Sequence, residues 1–88
     1  MKLERERERE HVLLVCYMAE ERHGVRIISE CAEVKDVFGE VYYEIGIHIN
    51  DMFSGGFDVV EKCLRDEFGD TNIKVGYDNR RNKICVKV

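Results

Sequence analysis

Between Val41 and Ile49 the chain alternates strictly. Val41, Tyr43, Ile45, Ile47 and Ile49 take every second position, with Tyr42, Glu44, Gly46 and His48 between them. Successive side chains of a strand point to opposite faces, so this period of two predicts a half-buried β-strand with one face on a core. Such a strand needs a neighbour to pair with and a layer to cover it. Val25 to Val34 reads as the neighbour, joined to it by the turn Lys35-Asp36-Val37-Phe38-Gly39-Glu40.

The cover is helical. Phe57, Val60, Leu64 and Phe68 recur at three- and four-residue steps, with Cys63 beside them. The Asp58–Lys62 and Glu61–Arg65 pairs lie on the opposite face in the favourable acid-first order, and Gly69 closes the helix. Ile73, Val75 and Tyr77 then alternate as a third strand. After the turn Asp78-Asn79-Arg80-Arg81-Asn82, Ile84, Val86 and Val88 alternate as a fourth.

Residues 3–23 carry two patterns. Alternating Glu and Arg through residue 10, and the ending Glu20-Glu21-Arg22-His23-Gly24, favour a helix that places basic side chains at its negative end. Val12-Leu13-Leu14-Val15-Cys16-Tyr17 would also serve as a buried strand. Length and terminal signals favour helix. The expected order is therefore α-β-β-α-β-β: an α+β fold in two layers, with two helices on a four-stranded, mainly antiparallel sheet. A strand over residues 11–20 would instead give β-β-β-α-β-β. Moving the last strand to the front gives the β-α-β-β-α-β order of ferredoxin-like folds, a likeness of topology that carries no function.

Eighty-eight residues suit a single α+β domain over 1–88, with residues 1–10 as a charged helix start or frayed tail. Charged residues make up 36% of the chain, Glu occurs twelve times, and Gln, Trp and Pro are absent. Abundant Glu without Gln is the bias of heat-adapted proteins; the lack of Pro runs against it. The net charge of −4 marks a small acidic protein and argues against general nucleic-acid binding, which needs a basic face. Only residues 71–88 are basic, with Lys74, Arg80, Arg81, Lys83 and Lys87 against Asp78. The longest apolar run, Val12 to Ala19, is too short to span a bilayer, and the flanking charges do not resemble a signal peptide. A cytoplasmic location is expected, with Cys16, Cys31, Cys63 and Cys85 as reduced thiols.

The expected loop 50–56 is the main ligand-binding candidate. Asn50, Asp51, Ser54, Gly55 and Gly56 would lie at a helix N-terminus beside His48, where free N–H groups and two glycines let an anion approach the backbone. No phosphate-loop or dinucleotide motif accompanies them. The nearest nucleophile–base–acid set is Ser54, His48 and Asp51, which falls short of a catalytic assignment. The cysteines form no C-x-x-C pair and the histidines no H-x-x-x-H, so neither a metal nor any other cofactor is expected.

On a helix, Val12, Val15, Cys16 and Ala19 form one apolar stripe, and Leu14 and Met18 a second. That arc is wider than one sheet face requires. Val12, Leu14, Val15 and Met18 are therefore candidate interface residues, with Arg80 and Arg81 as basic contacts. The leading expectation is a non-enzymatic, oligomeric protein-interaction module, a homodimer formed through the sheet or first helix, or an adaptor for another protein. The alternative is a small-ligand, anion-binding or enzymatic domain using 50–56. A third is nucleic-acid contact through Arg80 and Arg81.

Overall fold

The computed structural model of the chain describes residues 2–29 and 31–88, with side chains from residue 6 onward. Helix α1 spans Lys2–His23, strand β1 Ala32–Lys35 and strand β2 Val41–Gly46. A short helix α2 (Ile49–Asp51) and a π-helical turn (Met52–Gly56) lead into α3 (Phe57–Phe68), followed by β3 (Lys74–Asp78) and β4 (Lys83–Lys87). The fold is α+β, with residues 11–20 in helix rather than strand. No helix among the described residues is long and apolar enough to cross a membrane.

The four strands lie in the order β1-β2-β4-β3, with every neighbouring pair antiparallel. Strands β2 and β3 thus run parallel on either side of β4, with α3 connecting them. This is the strand order expected of a ferredoxin-like sheet whose first strand has moved to the end.

Helices α1 and α3 pack together over one face. Val12, Val15, Cys16 and Ala19 of α1 and Val60 and Leu64 of α3 meet Tyr43, Ile45, Ile47, Ile84 and Val86 of the sheet in one buried cluster. Burying each larger aliphatic side chain here contributes about 1.5–3 kcal/mol. His11 joins the helices, its Nε2 2.8 Å from Glu67 Oε1 and its ring 4.5 Å from that of Phe68. The charged start of α1 is anchored as well, because the Tyr43 hydroxyl donates to Glu8 Oε1 at 2.8 Å. At the other end the Gly24 amide donates to the Glu20 carbonyl at 2.9 Å, closing the helix where its sequence signals stop.

Three expectations need correction. The first strand was expected over Val25 to Val34, but regular pairing starts at Ala32; Glu30 lies outside the described residues. Upstream, the segment touches β2 through the isolated Ile27–Ile47 bridge. Between that bridge and the Ala32–Glu44 pair, one strand advances five residues and the other three, a register offset of two of the kind a β-bulge makes. Ser29 explains the break: its Oγ accepts the Gly46 amide at 2.7 Å, replacing a backbone ladder bond with a side-chain bond.

The second correction concerns β2, which ends at Gly46 rather than Ile49. His48 caps α2 and turns Ile49 onto the helix, where it is 49% exposed instead of joining the core. The third is that residues 50–56 form no open loop. They are helical up to a kink at Ser54 and Gly55, where Gly55 takes φ +90°. The alternation of β2 holds from Tyr43 to Ile47 and then yields to the cap.

Candidate functional site

The helical turn at 48–56 draws its polar groups onto one another. His48 Nδ1 accepts the Asn50 amide at 3.2 Å, and the His48 carbonyl accepts the amides of Asp51 and Met52 at 3.0 Å. The Ser54 hydroxyl donates to the Asn50 carbonyl at 2.8 Å. Gly56 is buried, and a Cβ there would stand 2.6 Å from the Asp51 carbonyl oxygen and 3.0 Å from Ile47 Cδ1. Gly56 thus serves close packing, whereas nothing lies within 4 Å of a Cβ at Gly55.

Arg26, which the sequence did not single out, organises this cluster. Its backbone amide and Nε donate to Asp51 Oδ2 at 2.8 and 3.0 Å, and Nη2 reaches Oδ1 at 3.2 Å. The same Nη2 lies 3.3 Å from His48 Nδ1. These bonds hold the Asp51 carboxyl below the usual carboxylate range. Asp51 and His48 are therefore joined through Arg26, while Ser54 is turned away into the helix backbone. Chemically, the arrangement fastens the segment at residue 26, just before the Ile27–Ile47 bridge, to α2.

The interface candidates divide in two. Val12 and Val15 are 0% and 3% exposed and belong to the core, so neither can touch a partner in this conformation. Leu14, 56% exposed, and half-buried Met18 remain, with Tyr17 also exposed between them. Met18 borders a shallow cleft between α1 and α3 beside Arg22, Cys63 and Asp66.

The basic C-terminal segment is partly neutralised within the chain. Arg81 grips Glu44 with both guanidinium arms, at 2.6 and 2.9 Å. Glu44 is only 4% exposed although it lies on the face without helices, so Arg81 offsets the cost of burying its charge there. Lys87 binds Glu40 and lies 3.8 Å from Asp36. Lys83 Nζ donates to Ser29 Oγ at 3.1 Å. The side chains of Arg80 and Lys74 have no ion-pair partner among the described residues.

Burial pushes the Cys16 thiol up to about 12 and the Cys31 thiol up to about 11, leaving both protonated and unreactive at neutral pH. Cys63 and Cys85 are half-buried. Among the described residues no group of three metal-ligating side chains converges.

Among the described side chains, the most exposed apolar groups lie where the sequence was read simply as a turn. At the β1–β2 hairpin tip Val37 is 94% and Phe38 87% exposed. The turn carrying them is well bonded. Asp36 Oδ1 accepts the amides of Phe38 at 2.8 Å and Glu40 at 2.9 Å, and the Asp36 amide donates to the Glu40 carbonyl. Phe53, on the π-helical turn, is 83% exposed and stands four residues after exposed Ile49.

No family model, curated protein or solved structure matches the chain. Function must therefore be argued from this geometry alone. The available sequence signal was Val-Phe inside a turn: two apolar residues where turns normally carry polar ones.

Proposed function

We propose that the chain is a non-enzymatic interaction module that works as a homodimer, with the open face of its sheet and the adjoining hairpin as the contact surface. The observation that carries this reading is the near-complete exposure of Val37 and Phe38 on a hydrogen-bonded turn. Burying two such side chains would contribute about 1.5–3 kcal/mol each, stabilisation that the isolated chain forgoes. A turn already held by Asp36 presents them at little further ordering cost, which favours association. The sheet face opposite the helices offers an adjacent surface, with a concavity of about 340 Å³ over β3 and β4.

The test is sedimentation equilibrium of the untagged chain from one to one hundred micromolar. A reversible monomer–dimer equilibrium within that range is expected. A monomer throughout would contradict the reading.

A further inference from the structure

We infer that the homodimer is reciprocal, with the Val37-Phe38 tip of each copy seated in the open-face groove of the other. This rests on the homodimer reading above and specifies its surface and register. The groove is lined by Tyr42, Lys74, Val75, Gly76, Cys85 and Lys87. Its floor is low at Gly76, where a Cβ would meet nothing within 4 Å. On the open face Gly76 is opposed by Cys85 and lies two residues from Lys74, and its missing side chain leaves room for an aromatic ring from outside.

Charge selects a second copy as the occupant. Lys74 and Lys87 are directly opposed across β3 and β4, so both ammonium groups project on the same face. Like charges so placed repel. Lys87 is neutralised within its own chain by Glu40 and Asp36, the acids that flank the hairpin tip. Lys74 has no such partner among the described residues. The tip thus combines apolar side chains with flanking carboxylates, and the groove combines an apolar floor with a cation still to be paired.

The positions suit twofold symmetry. The Lys87–Glu40 pair places the groove and tip at the same end of the sheet. A twofold axis running along the strands, between two facing open faces, would keep both ends in register while exchanging the two sides of the sheet, so each β1–β2 tip would overlap the other copy's β4–β3 groove. Residues of the tip would contact residues of the groove twice, as an isologous interface requires.

Light scattering at tens of micromolar tests the inference with four variants, each first checked for native thermal unfolding in dilute solution. Phe38→Asp should raise the dimer dissociation constant by at least about 30-fold, the size expected for a central apolar anchor. Gly76→Leu, which has space for its side chain and ordinary backbone angles, should do the same by filling the receiving floor. Glu40→Lys and Lys74→Glu should each weaken self-association, and their mixture should restore a heterodimer because both crossed contacts regain opposite charges. A wild-type monomer would overturn the homodimer and this register together. A wild-type dimer unaffected by Phe38→Asp or by Gly76→Leu would overturn the register and leave the homodimer standing. A Glu40→Lys and Lys74→Glu mixture no tighter than either variant alone would also overturn it.

Discussion

The turn between β1 and β2 and the turn between β2 and α3 both depend on an aspartate, and they leave opposite kinds of surface. Asp36 spends one carboxylate oxygen on amides of its own turn, two and four residues away. The side chains at the tip are left free of one another, and the two apolar ones face water. Asp51 reaches back twenty-five residues to Arg26 and takes up its backbone amide and guanidinium. The Asp51 carboxylate, His48 Nδ1 and the Ser54 hydroxyl, three groups of the expected ligand loop, are engaged within the chain instead. Polar residues in a glycine-bearing turn therefore do not imply a polar site; what matters is whether partners elsewhere in the chain have already claimed them.

The comparison can be broken by substitution, and the largest effect should come from Gly56. A Cβ there collides with the Asp51 carbonyl, so Gly56→Ala should cost on the order of 3 kcal/mol in urea-unfolding free energy, in the range of overpacking defects. A cost below about 1 kcal/mol would mean that the 48–56 turn is not tightly closed. Gly39→Ala should cost only about 1 kcal/mol. Its φ is +81° but nothing lies within 4 Å of the added Cβ, so only backbone strain opposes the change.

Acid should separate the turns by pH dependence. The Asp51 carboxyl titrates below its ordinary value in the folded chain and near about 3.9 in the unfolded one. The folded state then binds fewer protons, so this stabilisation is fully present above the unfolded value and is lost as pH falls through the folded one. Melting temperatures of wild type and Asp51→Asn should converge as pH drops from 5 toward 2. Parallel curves across that range would remove Arg26–Asp51 from the description of the turn. The smallest stability effect belongs to Phe38→Ser, which should change dilute-solution unfolding by less than about 0.5 kcal/mol, as at an exposed site without structural partners.

Most of the architecture was legible because it rests on periodicity. The 41–47 alternation, the Phe57-Val60-Leu64-Phe68 spacing and the Val12-Val15-Cys16-Ala19 stripe of α1 each describe a face that packs on the core, and each does so. Boundaries failed where a side chain competed with the backbone. Ser29 replaced a ladder bond at the bulge, and His48 capped a helix that period-two reading would have continued as strand. The site was less legible for a related reason. Arg26 sits in a segment read as regular strand, and only the third dimension shows that it meets Asp51. Leu14 and Met18 were correctly separated from the first α1 stripe by helical geometry, whereas Val12 and Val15 fall on the buried side of that division. Val37 and Phe38 were visible in the turn, but their exposure followed only from the way Asp36 closes it.

The most direct measurement is an isotope-filtered nuclear Overhauser experiment on a mixture of labelled and unlabelled chains. Reciprocal seating predicts intermolecular contacts from the Phe38 ring to the Cβ protons of Cys85, the α protons of Gly76 and the ring of Tyr42. A dimer whose intermolecular contacts instead arise from Leu14 and Tyr17 of α1, with none from Phe38, would contradict it.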